Sequence, residues 1–495
     1  MGTLASFVGR LLDTKFGEKV FRLTAGLLYY DSIRRPLVRV VWYLTDLFVR
    51  AGRRHGTSDR IDREREQFAL SVLDTVDRIA GDRAISRDFM EHASLLWVRA
   101  LIGSEQDAAR ESFKAQHGVE PPWVLVVAPT GACNLSCPGC YSGASTGGRS
   151  MPFDELDRLV TEAKRLWGIK VLVFTGGEPF LYRSENRGIL DVVERHPDVL
   201  CLIFTNGTLI DSKAAHRLAT LGTPTVAVSV EGLRDSTDAR RGPGAFDRVV
   251  DAMKTLNDAG ALIGVSMTAT RNNCEELLSD ELLDFYFVDN RAYYGFIFQY
   301  MPEGRGPDPS LMVTPEQRLW MWRRSWEVIE KRRLPIFDFW NHGTMIGGCA
   351  AAGRERGYLY VDWDGNVMPC VFAPYSTCNI HEIYRTGGNL NDAWATPLLA
   401  GIRDWQRKHL ACDGSDAGSV GSRLVAACPV RDHYSDFVDI VRISGAAPVG
   451  DSADACMASP DFTKQMVGYG QEFADLSGPV LEIEYDSDRT QGRDD

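Results

Sequence analysis

The sequence predicts an α/β fold with a parallel sheet at its centre, and two observations carry that prediction. Between about residues 120 and 300, short apolar runs alternate with helical patterns: 123–128, 170–174, 200–204, 225–230, 261–268 and 294–299. Such alternation is the signature of βαβ units. The first run ends in Pro129-Thr130-Gly131-Ala132-Cys133-Asn134-Leu135-Ser136-Cys137-Pro138-Gly139-Cys140-Tyr141. Three thiols at i, i+4 and i+7 therefore lie on a loop leaving a buried strand, where open α/β folds place their ligand chemistry.

The bounds agree with a globular protein. At 495 residues the chain should hold two to four units. Apolar content of 44% and charged content of 25% are ordinary. The net charge of −12 argues against general nucleic-acid binding. Eleven cysteines are an odd number and too few for a disulfide scaffold of this length. The N-terminus lacks the apolar core and small-residue cleavage site of a signal peptide. The clustered thiols suit a reducing cytoplasm, which is the expected location.

A disulfide would pair two of the three loop thiols and leave one over. A structural zinc site wants four ligands, and the loop offers no fourth. An iron–sulfur cube on three thiolates leaves one iron open to another ligand. Chance clustering of small buried residues is the bland alternative. A second motif follows one helix later, Val171-Leu172-Val173-Phe174-Thr175-Gly176-Gly177-Glu178-Pro179. Its glycines allow close backbone approach. Its carbonyls and Glu178 can accept from an ammonium group. Alone this is an ordinary turn; one βα unit after Cys-x3-Cys-x2-Cys it is informative.

On Cys133, Cys137, Cys140 and Gly176–Pro179 the chain resembles the radical SAM (S-adenosylmethionine) superfamily. The resemblance implies a partial (β/α)6 TIM-like barrel and a [4Fe-4S] cluster on the three cysteines. It also implies SAM on the open iron, a 5′-deoxyadenosyl radical and hydrogen abstraction from an unactivated carbon. A reducing partner such as flavodoxin or ferredoxin belongs to the same expectation. One departure is visible: the residue before the last cysteine is usually aromatic, and here it is Gly139.

Residues 1–119 read as an N-terminal helical region. Its first 55 residues hold ten basic against four acidic residues, +6 inside an acidic chain, interleaved with apolar ones. Leu37–Val49 is the most apolar part but is shorter than the roughly 20 residues of a span. One reading is an interfacial amphipathic segment in peripheral contact with an anionic membrane; the other is a pair of helices packed on the barrel. Asp59 can cap the charged helix that follows.

The barrel is assigned to 120–301. Strand C-termini are the functional edge of such barrels, so the resemblance is read there for SAM contacts. It gives Gly176, Gly177 and Glu178 after the second strand, then Asn206 in Phe204-Thr205-Asn206-Gly207. Ser229 and Glu231 follow on one face of the fourth strand, then Arg241 in Arg240-Arg241-Gly242, Thr268 and Gln299. Arg241 suits a carboxylate, although a surface arginine in a glycine-rich loop reads the same way. Aromatics in 294–300 are more often core than cofactor contacts.

Residues 302–345 read as a Gly/Pro-rich linker and a helix, with Thr314 as cap and Pro315 at its first position. Trp320, Trp322 and Trp326 are expected to pack on the barrel. Within 346–435, Cys349 and Gly365-Asn366-Val367-Met368-Pro369-Cys370 form a Cys-x15-Gly-x4-Cys pattern on a hairpin turning at Asp364-Gly365. This resembles the SPASM/Twitch extension of radical SAM enzymes. The dense cysteine run that ends that extension is missing. At most one auxiliary cluster is therefore expected, on Cys349, Cys370, Cys428 and either Cys412 or Cys378. A hairpin with unliganded thiols is the alternative. The tail 436–495 is Asp/Gly/Ser-rich and its end reads as disordered.

The sequence thus points to a radical SAM enzyme acting on an unidentified organic substrate, hydrophobic or membrane-associated by the character of the N-terminus. A peptide-modifying SPASM enzyme and a non-catalytic iron–sulfur electron carrier are the alternatives. No acid/base residue stands out.

Overall fold

The computed structural model describes residues 30–39, 58–87, 89–93, 96, 106–410 and 420–490. Most of the basic N-terminal stretch, and Cys412, lie outside the described residues.

Six strands fall within two residues of their expected places: β1 (Val124–Val127), β2 (Val171–Phe174), β3 (Leu200–Thr205), β4 (Pro224–Val230), β5 (Ile263–Ala269) and β6 (Gly295–Gln299). They pair in sequence order and all in parallel. The helices between them follow simple rules. Phe153–Trp167 buries Phe153, Leu156, Leu159, Val160, Ala163 and Trp167 at helical spacing. It has Asp154 and Glu155 in its first turn, Lys164 and Arg165 in its last, and stops at Gly168, whose φ is 58°. Inward residues from the first strand to the last, Val124, Val171, Leu202 and Phe296 among them, line one shared cavity. The sheet is therefore curled into a partial barrel.

The sheet is longer than expected. The stretch read as linker and helix also contains β7 (Ile336–Asp338), parallel to β6. The hairpin beyond Cys349 supplies β8 (Tyr358–Val361) and β9 (Val367–Met368), antiparallel, with Gly365 in the turn at φ 82°. β8 also lies parallel on the free edge of β1, Val124 opposite Tyr358. The order is β7-β6-β5-β4-β3-β2-β1-β8-β9, so the second cysteine region begins as a continuation of the barrel's own sheet.

Two expectations fail at the C-terminal end. The end of the tail, read as disordered, is helical as far as Thr490: helices Tyr434–Ser444, Asp451–Ala458 and Pro460–Thr490 follow one another. On the last of them Phe462, Met466, Phe473, Leu481 and Tyr485 form a buried stripe, while Val467 and Ile483 face solvent. Average composition hides such a stripe. That stripe also redirects the tryptophan helix, Pro315–Glu327. Trp322 and Trp326 pack with Ile61, Phe473, Leu481 and Tyr485 in a second core apart from the barrel's, and Trp320 faces outward. The cap at Thr314 is as read, a capping box with Gln317.

The last helix meets an N-terminal one at Glu64, from helix Asp59–Asp82. Its buried carboxylate accepts from Thr344 Oγ1 at 2.6 Å, Tyr485 OH at 2.7 Å and Arg60 Nε at 3.0 Å. Arg60 also pairs with Glu484. Among the described residues no helix is long and apolar enough to cross a membrane.

Leu481 is fully buried in this second core. Leu481→Ala should destabilise the protein by about 2–5 kcal/mol, read as a lower urea midpoint; a change below about 0.5 kcal/mol would return the tail to a loose appendage.

Candidate active site

The cysteine loop leaves β1 and is fixed by backbone bonds on both sides. Gly131 N–H donates to Arg149 O at 2.8 Å, Cys133 N–H to Ser145 O at 3.0 Å and Met151 N–H to Pro129 O at 2.9 Å. From β2, Gly177 N–H donates to Thr130 O at 2.9 Å and Glu178 N–H to Ala132 O at 2.7 Å. That approach requires the glycines. Gly176 has φ 103°, and a Cβ on Gly177 would lie 2.2 Å from Ala132 O.

The Glu178 carboxylate is engaged by protein donors. It accepts from Thr205 Oγ1 at 2.7 Å, Asn206 N–H at 2.8 Å and Phe180 N–H at 3.1 Å. It is engaged in joining strand ends, because a buried carboxylate must find donors. Burial pushes its carboxyl up, and these bonds oppose that push. Asn206, held this way, donates to Asn134 Oδ1 at 2.9 Å and passes 3.9 Å from Cys133 Sγ.

Glu231 is likewise occupied. Arg241 Nη2 and Nε reach its Oε1 at 2.5 and 3.0 Å, and Arg240 Nη1 reaches Oε2 at 2.7 Å. Glu231 is the predicted cofactor residue that does not line the cavity. Gly176, Gly177, Glu178, Asn206, Ser229, Arg241, Thr268 and Gln299 do, together with Cys133, Cys137 and Cys140, around a volume of about 450 Å3. Gln299 donates to both oxygens of Asp338, at 3.1 and 3.0 Å, while its Oε1 is buried without a hydrogen bond.

The segment read as a linker is a clasp. Arg305 N–H donates to Cys140 O at 2.9 Å, its Nη1 to Cys137 O at 3.1 Å and its Nη2 to Ala144 O, while its own carbonyl accepts from Gly139 N–H at 3.1 Å. Arg240 adds bonds to Pro138 O and Gly139 O. The missed signal was Gly304-Arg305-Gly306: a Cβ on Gly304 would lie 2.2 Å from Cys140 O. The unusual Gly139 has a physical reason, because a Cβ there would meet the Tyr300 ring at 2.5 Å. Beside Arg305, Glu303 is buried with Oε2 unpartnered, and burial pushes its carboxyl up to about 8. Once ionised it would push up the nearby Cys370, Tyr375, Tyr434 and Cys456, and it does not line the cavity.

A second, smaller pocket is lined by Cys349, Cys370 and Cys428. Cys378 does not reach it; Thr396 hydrogen-bonds its thiol instead. Cys428 is held by Asp432, whose Oδ2 accepts its N–H at 3.1 Å, and Asp432 pairs with the fully buried Arg318 at 2.5 Å. Among the described residues no three or more His, Cys, Asp or Glu side chains gather so as to hold a metal ion. Each thiol group lines its own cavity.

The clasp carries a test. Two bonds from a charged donor contribute about 1.5–3 kcal/mol each. Arg305→Ala should raise amide hydrogen exchange across Cys133–Ser145 by about tenfold or more, and unchanged protection would show that the loop holds itself.

Comparison with known proteins gives the family. Residues 127–275 match the model of the radical SAM superfamily. The mycofactocin maturase MftC of Mycolicibacterium smegmatis is 30% identical over 345 residues, 67% of this chain and 81% of that protein. An AdoMet-dependent heme synthase of Nitratidesulfovibrio vulgaris is 32% identical over 284 residues, 51% and 74% of the two chains. Among solved structures, native anSMEcpe with bound AdoMet and a peptide aligns over 74% of this chain and 99% of that one, at 18% identity and a TM-score of 0.49. The chain belongs to the radical SAM superfamily and is an enzyme of that family, whose cofactors are a [4Fe-4S] cluster and S-adenosylmethionine.

Proposed function

We propose that Cys133, Cys137 and Cys140 hold the [4Fe-4S] cluster, that the strand ends around them seat SAM, and that the substrate is hydrophobic. The donor set fits a cluster. A single zinc holds its sulfurs at ~2.3 Å and would close them on one point, whereas a cube takes each thiolate at a separate corner. The negative charge of the thiolates faces Arg240 and Arg241, whose fields act at Cys137. When bound, the cluster and SAM supply a 5′-deoxyadenosyl radical that takes hydrogen from an unactivated C–H bond.

This chain's residues do the rest. Gly176 and Gly177, partly accessible on the cavity wall, offer backbone carbonyls to an ammonium group. Arg241, with Nη1 left free by Glu231, offers a guanidinium to a carboxylate. Ser229, Thr268 and the unpartnered Oε1 of Gln299 offer polar contacts to a ribose or base. Cys349, Cys370 and Cys428 are the ligands proposed for one auxiliary cluster. A small protein such as flavodoxin or ferredoxin is the proposed electron source.

The observation that carries the substrate class is an inverted burial pattern. Along β3, the outward Cys201 and Ile203 are buried under helices while the inward Leu202 and Phe204 remain partly accessible. The cavity continues inward past Phe204, Phe296, Phe298, Phe337 and Phe339, with ring centroids of Phe204 and Phe298 5.5 Å apart. The interior of a closed (β/α)8 barrel is filled; this one is hollow and aromatic, and it suits an apolar molecule. A membrane contact is consistent with helix 31–39. It docks by burying Arg34 against Asp77 at 2.7 Å, and its Ile33 and Leu37, with the preceding Tyr30, remain exposed. The peptide reading is favoured by relatives named as maturases, the heme synthases standing on the other side.

Changing Cys133, Cys137 and Cys140 together to alanine should remove one cluster's worth of iron and all 5′-deoxyadenosine formed with SAM and dithionite; iron content equal to wild type would sink the ligand assignment. For the substrate, the reconstituted enzyme is offered a perdeuterated lipid extract of its source cells or a perdeuterated peptide digest. Deuterium in 5′-deoxyadenosine is expected from the lipid alone, and transfer from the digest alone would establish the peptide reading instead.

A further inference from the structure

The two thiol groups share a wall. Phe339, Ile346, Ala350, Tyr358 and Phe372 line both the barrel cavity and the pocket faced by Cys349, Cys370 and Cys428. The partition is therefore one side chain thick. Tyr358 is the polar member of that wall. Its hydroxyl donates to Cys370 Sγ at 2.8 Å, and both residues are buried.

Its position is fixed from the backbone up. Tyr358 is the first residue of β8 and lies opposite Val124 of β1. Its N–H donates to Ala350 O at 2.8 Å, one residue from Cys349, and its carbonyl accepts from Gly353 N–H at 2.8 Å. One residue is thus anchored beside Cys349 and bonded to Cys370. Phe372 N–H gives Cys370 Sγ a second, longer contact at 3.4 Å.

We propose that Tyr358 is a positioning residue that sets the reduction potential of the iron–sulfur group on Cys349, Cys370 and Cys428, from the wall it shares with the reaction cavity. This rests on the reading of those three thiols as ligands. Hydrogen bonds to cluster sulfurs are among the factors that set cluster potential. The reduced group carries one more negative charge than the oxidised one. A hydroxyl aimed at a ligating sulfur favours the reduced form more and raises the potential. In a dry pocket that preference is little screened. The group is thereby made easier to reduce on the side that faces the substrate.

The test uses the full-length chain reconstituted anaerobically, with Cys133, Cys137 and Cys140 changed to alanine so that only the second group is observed. Tyr358→Phe keeps the ring in the wall and removes the hydroxyl. Iron content should stay the same. In an EPR-monitored redox titration the reduced-to-oxidised ratio at a fixed poise should fall about tenfold, a shift of about 59 mV to more negative potential for one electron. Equal iron with an unchanged midpoint overturns the role of Tyr358 and leaves the second cluster standing. If the alanine background retains no iron that Cys370→Ala removes, the ligand reading fails and the proposal with it.

Discussion

Three strand ends are tied together by one buried carboxylate. Glu178 leaves β2, its backbone N–H grips the cysteine loop of β1, and its side chain accepts from Thr205 and Asn206 at the end of β3. A charged group taken out of water must be satisfied completely or not be there. Once Glu178 is buried, the positions of its donors are no longer adjustable. Asn206 is delivered beside Cys133, Gly176 and Gly177 are brought against Ala128–Ala132, and the mouth of the cavity takes its shape. The arginine clasp from the far end of β6 completes the frame around Cys137 and Cys140.

The sequence announced what depends on short-range pattern. Six strands and the thiol triplet were legible because apolar runs, glycines and cysteine spacing are local signals. The residues around the cavity followed from knowing which strand ends face one another. What was hidden depended on pairing across long separations. Nothing near Tyr358 says that its strand will lie on the edge of β1. Gly304-Arg305-Gly306 looks like a linker until Cys140 is found against it. The acidic tail was misread because its apolar residues are few, and only their helical spacing reveals a buried stripe. Glu178 and Glu231 were recognised as special by position, but their partners are protein groups that no single-strand reading could supply.

The second thiol group is held by a different device. Arg318, on the tryptophan helix, pairs with Asp432, which in turn fixes the amide of Cys428. Both charges are buried, so the pair is weak evidence of stability and better evidence of geometry. Through this contact the loop of Cys428 is referenced to the helix that follows β6, while Cys349 and Cys370 are referenced to β8. The pocket between them thus takes its dimensions from two parts of the barrel at once.

The strand that carries Tyr358 also completes the hydrogen bonding of β1, whose outer edge would otherwise show a bare Val124–Val127 ladder to solvent. Unpaired apolar edges recruit other chains. The C-terminal third is thus no detachable module: a chain cut after the tryptophan helix would leave the β1 edge of the barrel bare and open to pairing with other chains.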